Sequence, residues 1–269
     1  MNNATAELSA GTRIEFEKKG RVATVRLISD AGPPLLTSPV LGELGTIAER
    51  LANDPCVRYV VFRSTGKVFC AGADLQRITN ITEDQGYSLS RFGTSVMNAI
   101  ENLPQITFAA INGHAMAGGC ELALACSFRL MVAGALIGTP QVRFGLIPGW
   151  GATRRLPMIV PLSWALRMLY SGQAITAEQA EKIGLVDEVV PSEADLDGAL
   201  ERWFEMFQES APRAIIRIKK SILEDDESHQ FGLCFTCDDA KEGMQAFLEK
   251  RKPSWVTEEC DEGRETMGT

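Results

Sequence analysis

Two short runs of small residues constrain this chain more than anything else in it. Lys67–Leu75 reads Lys-Val-Phe-Cys-Ala-Gly-Ala-Asp-Leu, and Asn112–Glu121 reads Asn-Gly-His-Ala-Met-Ala-Gly-Gly-Cys-Glu. Each run follows an apolar, β-branched segment that reads as a buried strand. Each puts small residues where a strand ends and the chain turns toward a helix. Residues without bulk leave backbone N–H groups open to close approach by a ligand. Two such turns facing one another supply two donors to a single oxygen, the arrangement called an oxyanion hole. Glu121 follows directly, one step inside the second helix. A carboxylate beside a polarised carbonyl points to proton transfer.

Length and charge narrow the alternatives. The chain has 269 residues, 45% of them hydrophobic, enough for one substantial α/β domain or one domain with a helical appendage. Its net charge is −8, which argues against a broad nucleic-acid surface and requires any anionic ligand to find a local basic patch. No apolar run reaches the roughly 18 residues expected of a membrane span. Met1–Ala10 is polar, lacks the basic-then-apolar pattern of a signal peptide, and reads as a frayed tail. The cytoplasm is the expected location. The seven cysteines are odd in number and scattered, which suggests reduced thiols. Cys234 and Cys237 form a lone Cys-x-x-Cys within a helical segment, with only His114 and His229 as further soft ligands. Two helical thiols are the expectation there, and no metal site is predicted.

Hydrophobic periodicity places the elements. Val22–Ile28, Tyr59–Ser64, Ile106–Ile111 and Phe128–Val132 read as strands. Val40–Ala52, Ser88–Leu103 and Glu121–Cys126 read as helices. Alternation of the two implies a parallel sheet with crossovers. After about Leu162 strands nearly stop, and Ser163–Tyr170, Thr176–Ile183, Asp195–Glu209, Pro212–Leu223 and Ser228–Arg251 all show helical spacing. Thr176 is placed to cap its helix. The predicted division is an α/β core over residues 11–200 and a helical region over 201–269.

Together with Gly145–Leu156, which reads Gly-Leu-Ile-Pro-Gly-Trp-Gly-Ala-Thr-Arg-Arg-Leu, and the C-terminal Glu242–Pro253, the two turns resemble the crotonase family, whose best-known member is enoyl-CoA hydratase. The likeness runs from about Val22 to Trp255. It implies an α/β fold with a crotonase-like ββα spiral core. It implies a C-terminal helical region packed on the core and on neighbouring subunits, as a homotrimer or a dimer of trimers. The implied substrate is an acyl-CoA thioester, with coenzyme A as part of the substrate and no metal or redox cofactor.

Residue by residue, the resemblance assigns the oxyanion donors to the N–H groups of Ala73 and Gly118, and water activation to Glu121. It places Ala71, Gly72, Asp74 and Leu75 against the substrate, and Lys67 on CoA phosphates. Lys250, Arg251 and Lys252 match a basic cluster that reaches CoA in relatives. Trp150 and Phe144 either shape the acyl pocket or pack beneath it. His114, Arg154 and Arg155 read as structural, the arginines bracing the glycine-rich loop. Two departures stand out. Where typical hydratases carry a second glutamate, this chain has Gln141, which can hold a water or substrate group by hydrogen bonds but cannot exchange a proton. The loop Ser29–Pro34 carries Asp30 where relatives carry a base, so weaker CoA binding or a carrier-protein thioester is implied. Hydration of an enoyl-CoA is the leading expectation. Isomerisation, specialised dehydration, decarboxylation and a non-catalytic acyl-CoA-binding subunit remain as alternatives.

Overall fold

The computed structural model describes residues 11–257 and 265–267. Its strands are β1 (Thr12–Lys19), β2 (Val22–Ser29), β3 (Tyr59–Ser64), β4 (Val68–Cys70), β5 (Ile106–Ile111), β6 (His114–Met116), β7 (Phe128–Val132), β8 (Leu136–Gly138), β9 (Ile175–Thr176), β10 (Glu188–Val190) and β11 (Glu265–Met267). Its helices are α1 (Ser38–Ala52), α2 (Leu75–Ile78), α3 (Glu83–Glu101), α4 (Gly118–Ala125), α5 (Ala152–Ile159), α6 (Leu162–Ser171), α7 (Ala177–Lys182), α8 (Leu196–Phe207), α9 (Pro212–Glu224), α10 (Glu227–Cys234), α11 (Asp238–Glu249) and α12 (Ser254–Thr257).

Two sheets share the strands. A larger sheet runs β10-β7-β5-β3-β2-β1-β11 and a smaller one β4-β6-β8-β9. The pairs β3/β4, β5/β6 and β7/β8 each give their first strand to the large sheet and their second to the small one. Helix α3 follows the first pair and α4 the second. Repetition of this step winds the chain into a ββα spiral, as the resemblance implied. Within the large sheet, β2, β3, β5, β7 and β10 pair in parallel. Their inner members carry β-branched and other apolar residues because both faces are covered, and every residue of β5 is buried.

The core lies between the sheets and around α4, all eight residues of which are buried. Helix α8 covers the large sheet with an aromatic cluster, in which Phe204 stacks on Tyr59 at 4.4 Å and Phe207 on Phe128 at 5.3 Å. Arg58 donates to the carbonyls of Phe207 and Ser210, at 3.3 and 2.6 Å, just past the C-terminal end of α8. There a cation also complements the helix dipole.

Some expectations needed correction. Ser228–Arg251 is two helices, α10 and α11, broken where Cys237 turns extended (φ −100°, ψ 145°); each half is helical, so periodicity alone does not mark the break. Helix α3 starts at Glu83, five residues before the predicted Ser88, because Thr82 and Gln85 close a reciprocal capping box over a polar first turn. The predicted cap Thr176 forms the same box with Gln179. Beyond Leu162 the chain still contributes β9, β10 and β11, the last pairing with β1. The reading of Met1–Ala10 falls outside the described residues. Among the described residues no helix is long and apolar enough to cross a membrane, and the six described cysteines are free thiols.

Candidate active site

The two small-residue turns meet. Strand β4 ends at Cys70, and Gly72 leaves it with φ +92°, a conformation that side chains disfavour. Leu36 N–H donates to the Gly72 carbonyl at 2.8 Å and Gly72 N–H points back to the Cys70 sulfur at 3.4 Å, which fixes the turn. Asp74 then caps α2 by accepting from Gln76 N–H at 3.0 Å. The second turn leaves β6 through Ala117, a non-glycine residue at φ 49°, ψ −117°. Such backbone costs about 1–3 kcal/mol and clusters at functional sites. Ala117 N–H is tied to the Gly138 carbonyl of β8 at 2.9 Å, so the strained residue is held from the neighbouring strand. Gly118 opens α4, and as its first residue has an N–H that the helix itself cannot satisfy.

How closely the turns approach is measured by what a side chain would strike. A Cβ on Gly72 would stand 2.5 Å from the Gly118 nitrogen, and one on Gly118 would stand 3.0 Å from Gly72 Cα. Only glycine fits at either position. Ala73 and Gly118 line the same cleft, with Ala71, Asp74, Leu75, Glu121, Gln141 and Trp150. The cleft has a volume of about 1300 Å³.

Glu121 sits in the first turn of α4, 2% exposed. Its Oε1 accepts from the N–H groups of Trp150 at 2.7 Å and Ala152 at 3.2 Å. Its Oε2 accepts from Gln141 Nε2 at 3.3 Å. Burial raises its pKa to about 7, against the opposing pull of the Ala152 and Trp150 amides and the Arg155 guanidinium. A carboxylate poised near neutrality is suited to both taking and returning a proton. Gln141, in the 3₁₀ turn Pro140–Phe144, keeps its other amide atom, Oε1, buried without a hydrogen-bond partner.

The loop that grips Glu121 is itself braced. Ser90 and Thr94 of α3 donate to the Gly149 carbonyl at 2.6 and 3.0 Å. Gly151 takes φ +113°, and a Cβ there would meet Arg155 Nη1 at 2.1 Å. The buried Arg155 donates to the Trp150 carbonyl at 2.9 Å and to Asn98 Oδ1 at 2.6 Å, and pairs with Glu101 at 2.9 Å. Arg154 also pairs with Glu101. Arg155 thus braces the loop, whereas Arg154 lines the cleft. The Trp150 indole, 5% exposed, lies against Gly93 of α3 and Gly118 of α4. It is therefore cleft floor, whereas Phe144 is exposed at the rim. His114 accepts Leu136 N–H at its Nδ1, 3.0 Å away, and holds β6 to β8.

The basic residues do not gather at this site. Lys67 is exposed before β4, whereas the Gly72 turn follows that strand, and Lys67 does not line the cleft. Arg251 is taken up by Glu242 and Glu249, and the Lys250–Lys252 segment likewise lies outside the lining. Asp30 is exposed next to Ala31, which does line it. Among the described residues no group of three or more His, Cys, Asp or Glu side chains is arranged to hold a metal ion. The sequence did not reveal the grip of the Trp150 and Ala152 amides on Glu121. Its one trace is the pair of glycines around Trp150, which frees the backbone there.

The family profile described as enoyl-CoA hydratase/isomerase matches residues 18–258. A probable enoyl-CoA hydratase of Bacillus subtilis is 34% identical over 247 residues, covering 87% of this chain and 96% of the relative. The crotonyl-CoA hydratase of Syntrophomonas wolfei is 33% identical and covers 91% and 98%. The crystal structure of an enoyl-CoA hydratase from Bacillus anthracis matches with a TM-score of 0.81 at 31% identity, over 92% of this chain and 100% of that one. The chain belongs to the enoyl-CoA hydratase/isomerase family and has its crotonase fold.

Proposed function

We propose that this protein adds water across the 2,3-double bond of an enoyl-CoA thioester. The thioester oxygen lies between the N–H groups of Ala73 and Gly118. Glu121 takes a proton from water as the oxygen adds at Cβ, and the resulting enolate regains a proton at Cα from the same carboxyl group. Gln141 holds the water. The reaction is redox-neutral and uses no cofactor beyond the CoA of the substrate. The observation that carries this reading is Glu121: a buried carboxylate, anchored by two backbone amides in the cleft where two glycine turns touch. The direct test is hydration of crotonyl-CoA, followed as loss of the conjugated thioester absorbance. Absence of turnover with enoyl-CoAs of any chain length refutes it.

Gln141 favours a second reading as well. A site with one carboxylate suits isomerisation, in which one group moves a proton from one carbon to another, and a 3-enoyl-CoA substrate separates the two reactions. The substitution Gln141→Glu tests which applies. It places a second carboxyl group at the 3.3 Å contact with Glu121, close enough for the pair to share a proton. We expect hydration of a simple enoyl-CoA to rise, and the acid limb of its pH profile to move upward. A flat or lower rate means that the missing acid does not limit this enzyme.

The assembly proposed is a trimer or a dimer of trimers. In support, α9–α11 expose Ile218, Ile222, Phe231, Phe247 and Leu248, with Phe247 83% exposed. So large an apolar surface is unusual on a monomer. Light scattering at micromolar concentration is expected to give three or six times the 29.3 kDa chain mass; a monomeric mass sinks the proposal.

A further inference from the structure

One face of α3 runs along the cleft. Gly86, Ser90, Thr94 and Asn98 line it, and at four-residue spacing they form a single stripe. At about 1.5 Å of rise per residue the stripe is about 18 Å long. It leads from the rim, where Tyr87 and Ile81 are exposed, down to the loop that grips Glu121. The side chains on it are small, and both hydroxyls and the Asn98 carbonyl oxygen are already committed. Ser90 and Thr94 donate to Gly149, and Asn98 Oδ1 accepts from Arg155. The charged groups of the lining are committed too: Arg154 is held by Glu101, and Asp74 by Arg77 and its own helix cap. Phe144, Leu146 and Ile147 also line the cleft, with Ile147 77% exposed. The result is a long groove with one catalytic end, apolar sides and little to offer a polar tail.

We propose that this groove holds an apolar acyl chain well beyond four carbons, so that the preferred substrate is a medium- or long-chain enoyl thioester. The proposal rests on the acyl-thioester reading above. Each methylene that leaves water for an apolar wall contributes about a fourfold gain in affinity. A crotonyl group would leave most of the groove and its exposed rim uncovered. A chain lying along α3 would cover both.

The test is calorimetry of the full chain with butyryl-, octanoyl- and dodecanoyl-CoA, paired with kcat/KM for the matching 2-enoyl-CoAs. We expect affinity to rise more than tenfold from butyryl to octanoyl, with kcat/KM following. If butyryl-CoA binds and longer chains bind no better, the groove proposal is overturned while the thioester reading stands. If no acyl-CoA binds, both fall. The variant Gly86→Leu locates the chain. Its Cβ meets only Ile81 Cδ1, at 3.8 Å, at a backbone conformation open to any residue, so the fold accommodates it. The dodecanoyl-to-butyryl affinity ratio is expected to drop at least tenfold. An unchanged ratio overturns the placement along α3.

Discussion

Glu121→Gln is expected to lower turnover by about 10²–10⁴-fold, the usual cost of losing a general acid–base, while acyl-CoA affinity stays near its original value. Its second effect is opposite in sign and concerns stability. The Glu121 carboxyl is raised to about 7 in the fold by burial, against about 4.3 in an unfolded chain. The folded state therefore holds this proton more tightly than the unfolded state. Stability from the neutral carboxyl is complete below the unfolded pKa and is lost as pH rises through 7. At pH 8 the ionised group costs on the order of 4 kcal/mol relative to its neutral form. Glutamine mimics the neutral form at every pH. Its carbonyl can still accept from the Trp150 and Ala152 amides. Its NH₂ can donate to Gln141 Oε1, the buried atom that lacks a partner, once that amide turns over. Chemical denaturation should show the variant more stable than the original at pH 8, with the gap closing toward pH 5. A gap that is the same at both pH values removes the pH linkage assigned to Glu121.

Gly118→Ala is expected to cost about 10²–10³-fold in kcat, the range seen when one oxyanion donor is displaced. The backbone at 118 is ordinary; the space is not. The new Cβ would stand 2.3 Å from the Trp150 ring and 3.0 Å from Gly72 Cα. Either the indole shifts, dragging the loop that holds Glu121, or the start of α4 retreats from Gly72. Both move a donor away from the thioester oxygen, and overpacking adds about 1–3 kcal/mol of destabilisation. Gly198→Ala on α8 is the control. Its Cβ meets nothing within 4 Å, so activity should be unchanged and stability within about 0.5 kcal/mol or slightly higher. Full activity in Gly118→Ala would remove Gly118 from the donor role.

The buried strands were the easiest part of the sequence to read. Tyr59–Ser64, Ile106–Ile111 and Phe128–Val132 came out with their observed limits, because a strand covered on both faces shows as an unbroken apolar run. The small sheet was hidden. Strands β4, β6 and β8 have three residues each and are embedded in the very turns that signalled a site, too short for any period to register. Strand β1, with Arg13, Glu15, Glu17 and Lys19 on its outer positions, looked polar and was passed over. In the site, Ala73, Gly118, Glu121, Gln141 and Trp150 line one cleft, and motif order was enough to bring them forward. Lys67 was carried by the same motif and lies elsewhere. The grip on Glu121 was invisible because backbone amides carry no side-chain signature. So was the groove along α3, whose small residues look like ordinary helix-surface choices until they are seen to line the cleft.

The indole of Trp150 rests on two residues far apart in the chain, Gly93 and Gly118: a Cβ added at either would stand 2.2 or 2.3 Å from its ring, well inside contact distance. These three positions can therefore change only in concert. A larger residue at 93 or 118 needs a smaller one at 150, and a smaller residue at 150 leaves a hole unless a neighbour is enlarged. Because position 150 also supplies an amide to the Glu121 carboxyl group, each such step would shift that group as well as the packing. The tryptophan–glycine triplet thus couples packing at the cleft floor to the position of Glu121.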